Sequence, residues 1–301
     1  GFERVIRAQI DDLEGWKSRI AEWSMRVSAA DIAARNASRR RSLVGRASVA
    51  VARKLFTDKV RRAVGFGDLR LAFSGAVSAD PETLAYFSGL DLVIREVYGL
   101  SEASGPSIIT QEGATRYGSV GFPFPGIEAG LAEDNEIILR GRSVFAGYLN
   151  NPEATHHALR DGWLYTGDLG SIGPDGLFTI TGRKKDIVIT TGGNNICPQP
   201  IEALLRQDPI VIDAVIVGDG FDHLGVLVSV VGGLGHEAAL AHVERRVQEV
   251  NRRFARAEQI RKIGLLPRAL SVEEGELSAT GFVARSVVVD HFESEIADLY
   301  R

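Results

Sequence analysis

The chain has 301 residues, a formal net charge of −4, 45% hydrophobic and 25% charged residues, and one cysteine, Cys197. That size suits two domains, and the balance excludes global disorder and a strongly basic chain built to bind nucleic acid. A lone cysteine excludes an internal disulfide and suits a reducing, cytoplasmic setting, and no run of 18 or more apolar residues is present to serve as a spanning helix.

The chain opens Gly1-Phe2-Glu3-Arg4, without an initiator Met or a signal pattern, and reads as the middle of a longer protein. Residues 1 to about 65 are expected to be helical, since Val5, Ile6, Ile10, Leu13, Trp16, Ile20 and Trp23 recur at helical spacing. Residues 35–62 carry ten Arg/Lys, including Arg39-Arg40-Arg41, against the single acid Asp58. The plain reading is a solvated helix face; the sharper one is peripheral contact with a membrane through anionic lipid. Leu69–Phe73 reads as a strand, Pro81–Leu90 as a helix and Leu92–Tyr98 as a strand, the rhythm of a partial parallel α/β sheet. Ser74-Gly75-Ala76 and Tyr98-Gly99-Leu100-Ser101-Glu102 fall at strand ends, where ligands of such sheets bind.

From about 106 to 181 the pattern turns to short strands with Gly and Pro punctuation, among them Gly118–Gly121, Glu136–Arg140 and Leu177–Ile180. This predicts a small, mostly antiparallel β-barrel-like subdomain. From about 186 a compact α+β domain is expected, with strands at Asp186–Ile189 and Ala214–Val217 and helices at Pro200–Arg206 and Glu237–Phe254. The expected division is a large domain over 1–182, β-rich from 106, and a small domain over 183–301.

Four segments carry chemistry. Ser101 and Glu102 place a hydroxyl and a carboxylate at a strand end. The small residues Gly75 and Ala76 let backbone approach a flat ring closely. Gly162-Trp163-Leu164-Tyr165-Thr166-Gly167-Asp168, preceded by Gly147-Tyr148-Leu149-Asn150-Asn151-Pro152-Glu153-Ala154-Thr155, ends in a carboxylate, an acceptor of several hydrogen bonds. Gly182-Arg183-Lys184-Lys185-Asp186 runs into Gly192-Gly193-Asn194-Asn195. Each alone has a plainer reading as a turn or an exposed charged loop.

In this order and spacing the segments resemble the adenylate-forming superfamily, most closely the second half of its long-chain fatty acyl-CoA synthetases. The resemblance implies ATP-dependent activation of a fatty acid to acyl-AMP, then transfer to CoA. It implies nucleotide contacts from Gly75, Ala76, Tyr98, Gly99, Ser101, Asp168 and Arg183, and a Mg²⁺ ligand in Glu102. Lys185 would be a hinge between the half-reactions, and Gly192 and Gly193 would line the way for the pantetheine arm of CoA. Two departures stand out. The family's Ser/Thr/Gly-rich phosphate loop has no equivalent here. In Gly275-Glu276-Leu277-Ser278-Ala279-Thr280-Gly281-Phe282-Val283-Ala284-Arg285 the family's adenylation Lys falls on Phe282, with Arg285 the next cation along. The rival expectations are a degenerate, non-catalytic relative that binds nucleotide or a partner, and a ligase that loads a carrier protein.

Overall fold

A computed structural model describes residues 2–37, 39–40, 42–75 and 80–301. They form two compact units, the first of Gly1–Thr166 with Gly170–Ile180, the second of Gly167–Leu169 with Thr181–Arg301.

The first unit opens with α1 (Phe2–Asp11), α2 (Trp16–Asn36) and α3 (Leu43–Ala52); a π-helical turn, Arg53–Thr57, then leads straight into α4 (Asp58–Ala63). Ser42 starts α3 by accepting a hydrogen bond from the Gly45 N–H at 3.0 Å, a side-chain substitute for a missing helical acceptor. Ile6, Ala21 and Phe56 pack with Phe87, Leu90 and Leu92. Trp16, read as part of the apolar periodicity, instead opens α2 at 69% exposure.

A four-stranded sheet follows, made of β1 (Ala72–Ser74), β2 (Ile94–Leu100), β3 (Gly105–Ile109) and β4 (Phe122–Pro123) in that order. α5 (Pro81–Gly89) is the crossover between β1 and β2, which run parallel with Ser74 opposite Glu96. Its start is written in the sequence: Asp80 accepts from the Thr83 N–H at 2.9 Å, and Pro81 sits where no N–H is needed. β3 and β4 add antiparallel. The strand expected at Gly118–Gly121 is absent, because Gly118 and Gly121 hold φ of 86° and 91°, which extended backbone does not allow; only a bridge from Gly121 to Phe178 remains.

β5 (Ile127–Leu131), β6 (Glu136–Gly141), β7 (Leu159–Arg160), β8 (Trp163–Ile172) and β9 (Phe178–Arg183) form the curled β-rich part, in the order β5-β6-β8-β7 with β9 on β8. α6 (Pro152–Ala158) is capped by Asn151, which accepts from the Ala154 N–H at 3.0 Å. Ile137, Leu139, Leu164 and Phe178 share a core with Tyr98 and Ile108.

After the end of β9, the second unit continues with a 3₁₀ turn, Lys184–Asp186, which shortens the expected strand to β10 (Val188–Ile189); β11 (Asn195–Ile196) pairs with it. α7 (Gln199–Leu205), β12 (Val211–Val217), β13 (Leu224–Val230), α8 (His236–Asn251), β14 (Ile260–Leu265), α9 (Arg285–His291) and α10 (Glu293–Tyr300) complete it. The sheet β12-β13-β14 carries a hydrophobic core on each face. Ala214, Ile216, Val226 and Val228 point to one core, with Val243 and Val247 of α8. The alternating Val215, Val217 and Leu227 point to the other, with Val288 and Ile296 of α9 and α10.

Glu96, on β2, is 5% exposed and accepts a bond from the Gly118 N–H at 2.9 Å. Burial pushes its carboxyl up to about 7, and the Gly118 bond offsets this in part. The folded value lies above the unfolded one, so stability falls as pH rises from about 4.5 through 7. Glu96→Gln is expected to remove that fall. Discounted for solvent screening, the gain at pH 8 is on the order of 2 kcal/mol and vanishes near pH 4, read by urea unfolding at both pH values.

Candidate functional site

In the first unit the site residues converge on the carboxyl end of β2. Gly75 follows β1, and a Cβ there would lie 2.7 Å from Val97 Cγ1 and 3.0 Å from Val97 O, so only glycine fits beside β2. Ala76 lies outside the described residues. Tyr98 is 9% exposed, in the core shared with the β-rich part. Gly99 sits at a bulge where β2 meets β3, and a Cβ would fall 2.0 Å from Gly105 O. The strand then breaks into the 3₁₀ turn Ser101–Ala103, closed by Ser104 in the left-handed region at φ 61°. Ser101 is left exposed and Glu102 half-buried.

Glu102 is not isolated. Its Oε1 accepts a hydrogen bond from Tyr148 Oη at 2.7 Å, and its carbonyl accepts from the Phe145 N–H at 2.7 Å. Tyr148 is held in turn by its own N–H, which donates to Thr155 Oγ1 at 2.9 Å, and by edge contact with Phe145 at 4.8 Å. The carboxylate beside it pushes the Tyr148 hydroxyl up to about 12, so it stays a donor at any working pH. Two motifs separated by more than forty residues therefore meet on one carboxylate. Sequence reading left Tyr148 without a role; its place beside Gly147 in the Gly147–Thr155 segment was the available signal.

In the second unit Asp168, 6% exposed, accepts a bond on Oδ1 from Arg183 Nε at 2.8 Å. The hairpin that joins β8 and β9 brings these two sequence-read residues, fifteen positions apart, together. Phe282 joins them, its ring centre 5.9 Å from the Arg183 guanidinium carbon, at the outer reach of a cation–π contact. Phe282 rides on a tight loop: Ser278 N–H donates to its carbonyl at 2.7 Å, its own N–H donates to Ser278 Oγ at 3.0 Å, and Gly281 turns at φ 82°. Arg285 does not stand in for the family's Lys. It is committed to Glu202 at 2.6 Å and to the Ile216 carbonyl, while Glu202 also accepts from the Ile216 N–H at 2.8 Å.

Lys185 is exposed in its 3₁₀ turn, directly after Arg183-Lys184. Gly192 and Gly193 form the exposed tip between β10 and β11, with Gly193 at φ 74° and its N–H bonded to Thr190 O at 2.8 Å. Asn194, where the family has Lys, donates to Thr190 Oγ1 at 3.3 Å. Among the described residues no group of three or more His, Cys, Asp or Glu could hold a metal ion alone. Glu102 as a single carboxylate fits an ion that arrives with phosphate oxygens and water to complete its shell. No described helix is long and apolar enough to cross a membrane.

Residues 29–149 match the family model described as AMP-binding enzyme, and residues 185–301 match the one described as AMP-binding enzyme C-terminal domain. Long-chain-fatty-acid–CoA ligase FadD15 of Mycobacterium tuberculosis is 38% identical over 278 residues, covering 86% of this chain and 46% of the relative. Long-chain-fatty-acid–CoA ligase ACSBG2 of Gallus gallus is 33% identical, covering 83% and 38%. The chain thus spans about half or less of the length of these curated relatives. Among solved structures, the anthranilate CoA ligase AuaEII in complex with anthranoyl-AMP superposes at a TM-score of 0.64, with 20% identity, over 82% of this chain and 49% of that one. O-succinylbenzoate coenzyme A synthetase MenE from Bacillus subtilis, in complex with AMP, gives 0.60, with 22% identity, over 72% and 45%. At such identities these two structures establish the fold alone.

The Phe282 loop hangs from Glu276, whose fully buried side chain takes two bonds from Arg268 at 2.7 Å, one from the Ser271 N–H at 3.0 Å and one from His291 Nδ1 at 3.1 Å. Arg268 above all holds the carboxyl down at about 2. The folded value lies below the unfolded one, so this stability is present above about pH 4.5 and is lost as pH falls through 2. Glu276→Gln is expected to cost about 1–3 kcal/mol at pH 7, with the gap to the parent closing toward pH 2, read by thermal unfolding across that range.

Proposed function

We propose, since the chain belongs to the AMP-binding enzyme family, that its residues form the nucleotide and CoA half of a long-chain-fatty-acid–CoA ligase. In that reading a fatty acid carboxylate attacks the α-phosphate of ATP, giving acyl-AMP and pyrophosphate. The CoA thiolate then attacks the acyl carbonyl and AMP leaves. The observation that carries the reading is the buried Asp168 carboxylate held by Arg183 Nε at 2.8 Å, which fixes the orientation of an acceptor group of the type that binds the two ribose hydroxyls. Gly75, Ala76, Tyr98 and Gly99 would frame the adenine and Ser101 the phosphates. Glu102, steadied by Tyr148, would hold Mg²⁺, which when bound neutralises phosphate charge. Residues 183–301 would act as a lid turning at Lys185, with the Gly192-Gly193 tip giving the pantetheine arm room.

AMP titrated into the chain by calorimetry tests the site. Asp168→Asn is expected to weaken AMP about tenfold or more, since it turns one acceptor into a donor facing the diol; equal affinity in the variant would overturn the assignment. No pyrophosphate release from ATP and fatty acid is expected of the 301-residue chain, because it holds no Ser/Thr/Gly phosphate loop and Phe282 supplies no ammonium. With acyl-AMP supplied, thioester forms on CoA in this reading. Thioester on a carrier protein instead supports the rival ligase, and none on either supports a non-catalytic relative.

The same chain carries a peripheral membrane contact in our reading of segment 35–62. In its support, Leu43 and Val44 are 80% and 76% exposed on α3, which also bears Arg46, an apolar and basic pairing that suits an anionic lipid surface. Leu43→Asp with Val44→Asp is expected to abolish co-sedimentation with phosphatidylglycerol vesicles, and high salt to weaken it in the parent.

A further inference from the structure

We propose that a second site, at the amino-terminal ends of β1 and β2, binds a phosphate-bearing ligand. It lies at the far end of β2 from the Glu102 corner, roughly 20 Å away along a seven-residue strand, and does not depend on the nucleotide reading. The space is a cavity of about 560 Å³ lined by Arg35, Arg39, Arg53, Arg61, Arg70 and Arg95. Two acids share the lining, Asp91 and Glu112. Glu112 is bound to Arg95 at 3.3 Å and faces solvent, its side chain 82% exposed.

Asp91 is the anchor. Its side chain is 3% exposed and its backbone turns at φ 57° between α5 and β2. Arg53 grips it through Nε at 2.6 Å and a second nitrogen at 3.2 Å. Arg35 and Arg61 each approach it at 3.7 Å, and Arg35 also meets Asp31 at 3.2 Å. One carboxylate has about four acceptor positions, while three guanidinium groups bring fifteen N–H donors. The surplus is visible: the Arg61 Nε is buried without a hydrogen-bond acceptor. Counting Asp31 as well, six cations face three acids. Like charges gathered around a partly enclosed space repel one another unless an anion completes the set. Guanidinium groups in this arrangement match the paired oxygens of a phosphate. The volume is that of a small-molecule site rather than of a single ion.

The local backbone is shaped for the cluster. The π-helical turn that begins at Arg53 inserts one residue between α3 and α4. It sets the facing of Arg53 and Arg61 at once, and such turns gather at functional sites.

The test is calorimetry of the full 301-residue chain with inorganic tripolyphosphate in magnesium-free, low-salt buffer. Saturable binding is expected with Kd on the order of 10–100 µM. Arg39→Gln with Arg70→Gln, both exposed at the rim and away from the Asp91 contacts, should weaken it about tenfold. Ser101→Ala with Asp168→Asn should leave it unchanged. Arg53→Gln exposes a buried carboxylate and risks the fold, so the rim pair carries the test. A parallel arm uses phosphatidylcholine vesicles containing phosphatidic acid. Sedimentation lost in the rim variant assigns the phosphate to a lipid headgroup; tripolyphosphate binding without sedimentation assigns it to a soluble ligand. No saturable binding in either arm, or affinity unchanged in the rim variant, overturns the proposal.

Discussion

A carboxylate taken out of water must find a donor, and in this protein arginine is the usual answer. Asp91 has Arg53, Asp168 has Arg183, Glu202 has Arg285 and Glu276 has Arg268. Two of these pairs tie together distant parts of the chain, the π-helical turn to the turn before β2 and α7 to α9, while the other two lock a local structure, the β8–β9 hairpin and the loop between β14 and α9. Breaking one partner leaves a charge stranded, which is costlier than never having buried it. These pairs therefore fix geometry more than they add net stability, and the candidate sites are built on them. Glu96 shows the alternative. It has a single backbone N–H in place of a guanidinium, and its proton affinity rises accordingly.

Much of this was legible in the residues. Asp80-Pro81 and Asn151-Pro152 announce helix starts through a capping oxygen and an imino nitrogen. The β-branched Val215-Ile216-Val217 announces the strand expected at Ala214–Val217, which extends back to Val211. Asp168 and Arg183 are close in sequence and joined by a hairpin, so their meeting needed only local geometry. What escaped the sequence depended on distant packing. Tyr148 reaches Glu102 across 46 positions, and no periodicity encodes that. Asp91 belongs to no motif, yet arginines from α2, the π-helical turn and α4 converge on it. A strand is expected at Gly118–Gly121, whereas the positive φ of its two glycines removes it.

Phe282 and Arg285 illustrate how a motif can keep its frame while its chemistry changes. The frame survives because Glu276, Ser278 and Gly281 set the loop through hydrogen bonds and backbone sign, none of which involves the side chain at position 282. Arg285 survives because Glu202 would otherwise be an unpaired buried acid. Only the residue at the tip is free to vary, and there a ring lies against Arg183 where the family places an ammonium. The scaffold of this eleven-residue stretch and its tip side chain thus rest on different atoms.

The π-helical turn at Arg53–Thr57 makes the amino-terminal rod sensitive to length as well as to composition. A π turn holds one residue more than the α-helical turn it replaces. Deleting a single residue from it restores regular winding and rotates everything downstream by about 100°. Phe56 would leave its place beside Phe87, and Arg61 would swing off Asp91. Substitutions along the outward faces of α3 and α4 are then mild, while a one-codon deletion between them is severe, because it shifts the phase of one helix against the other.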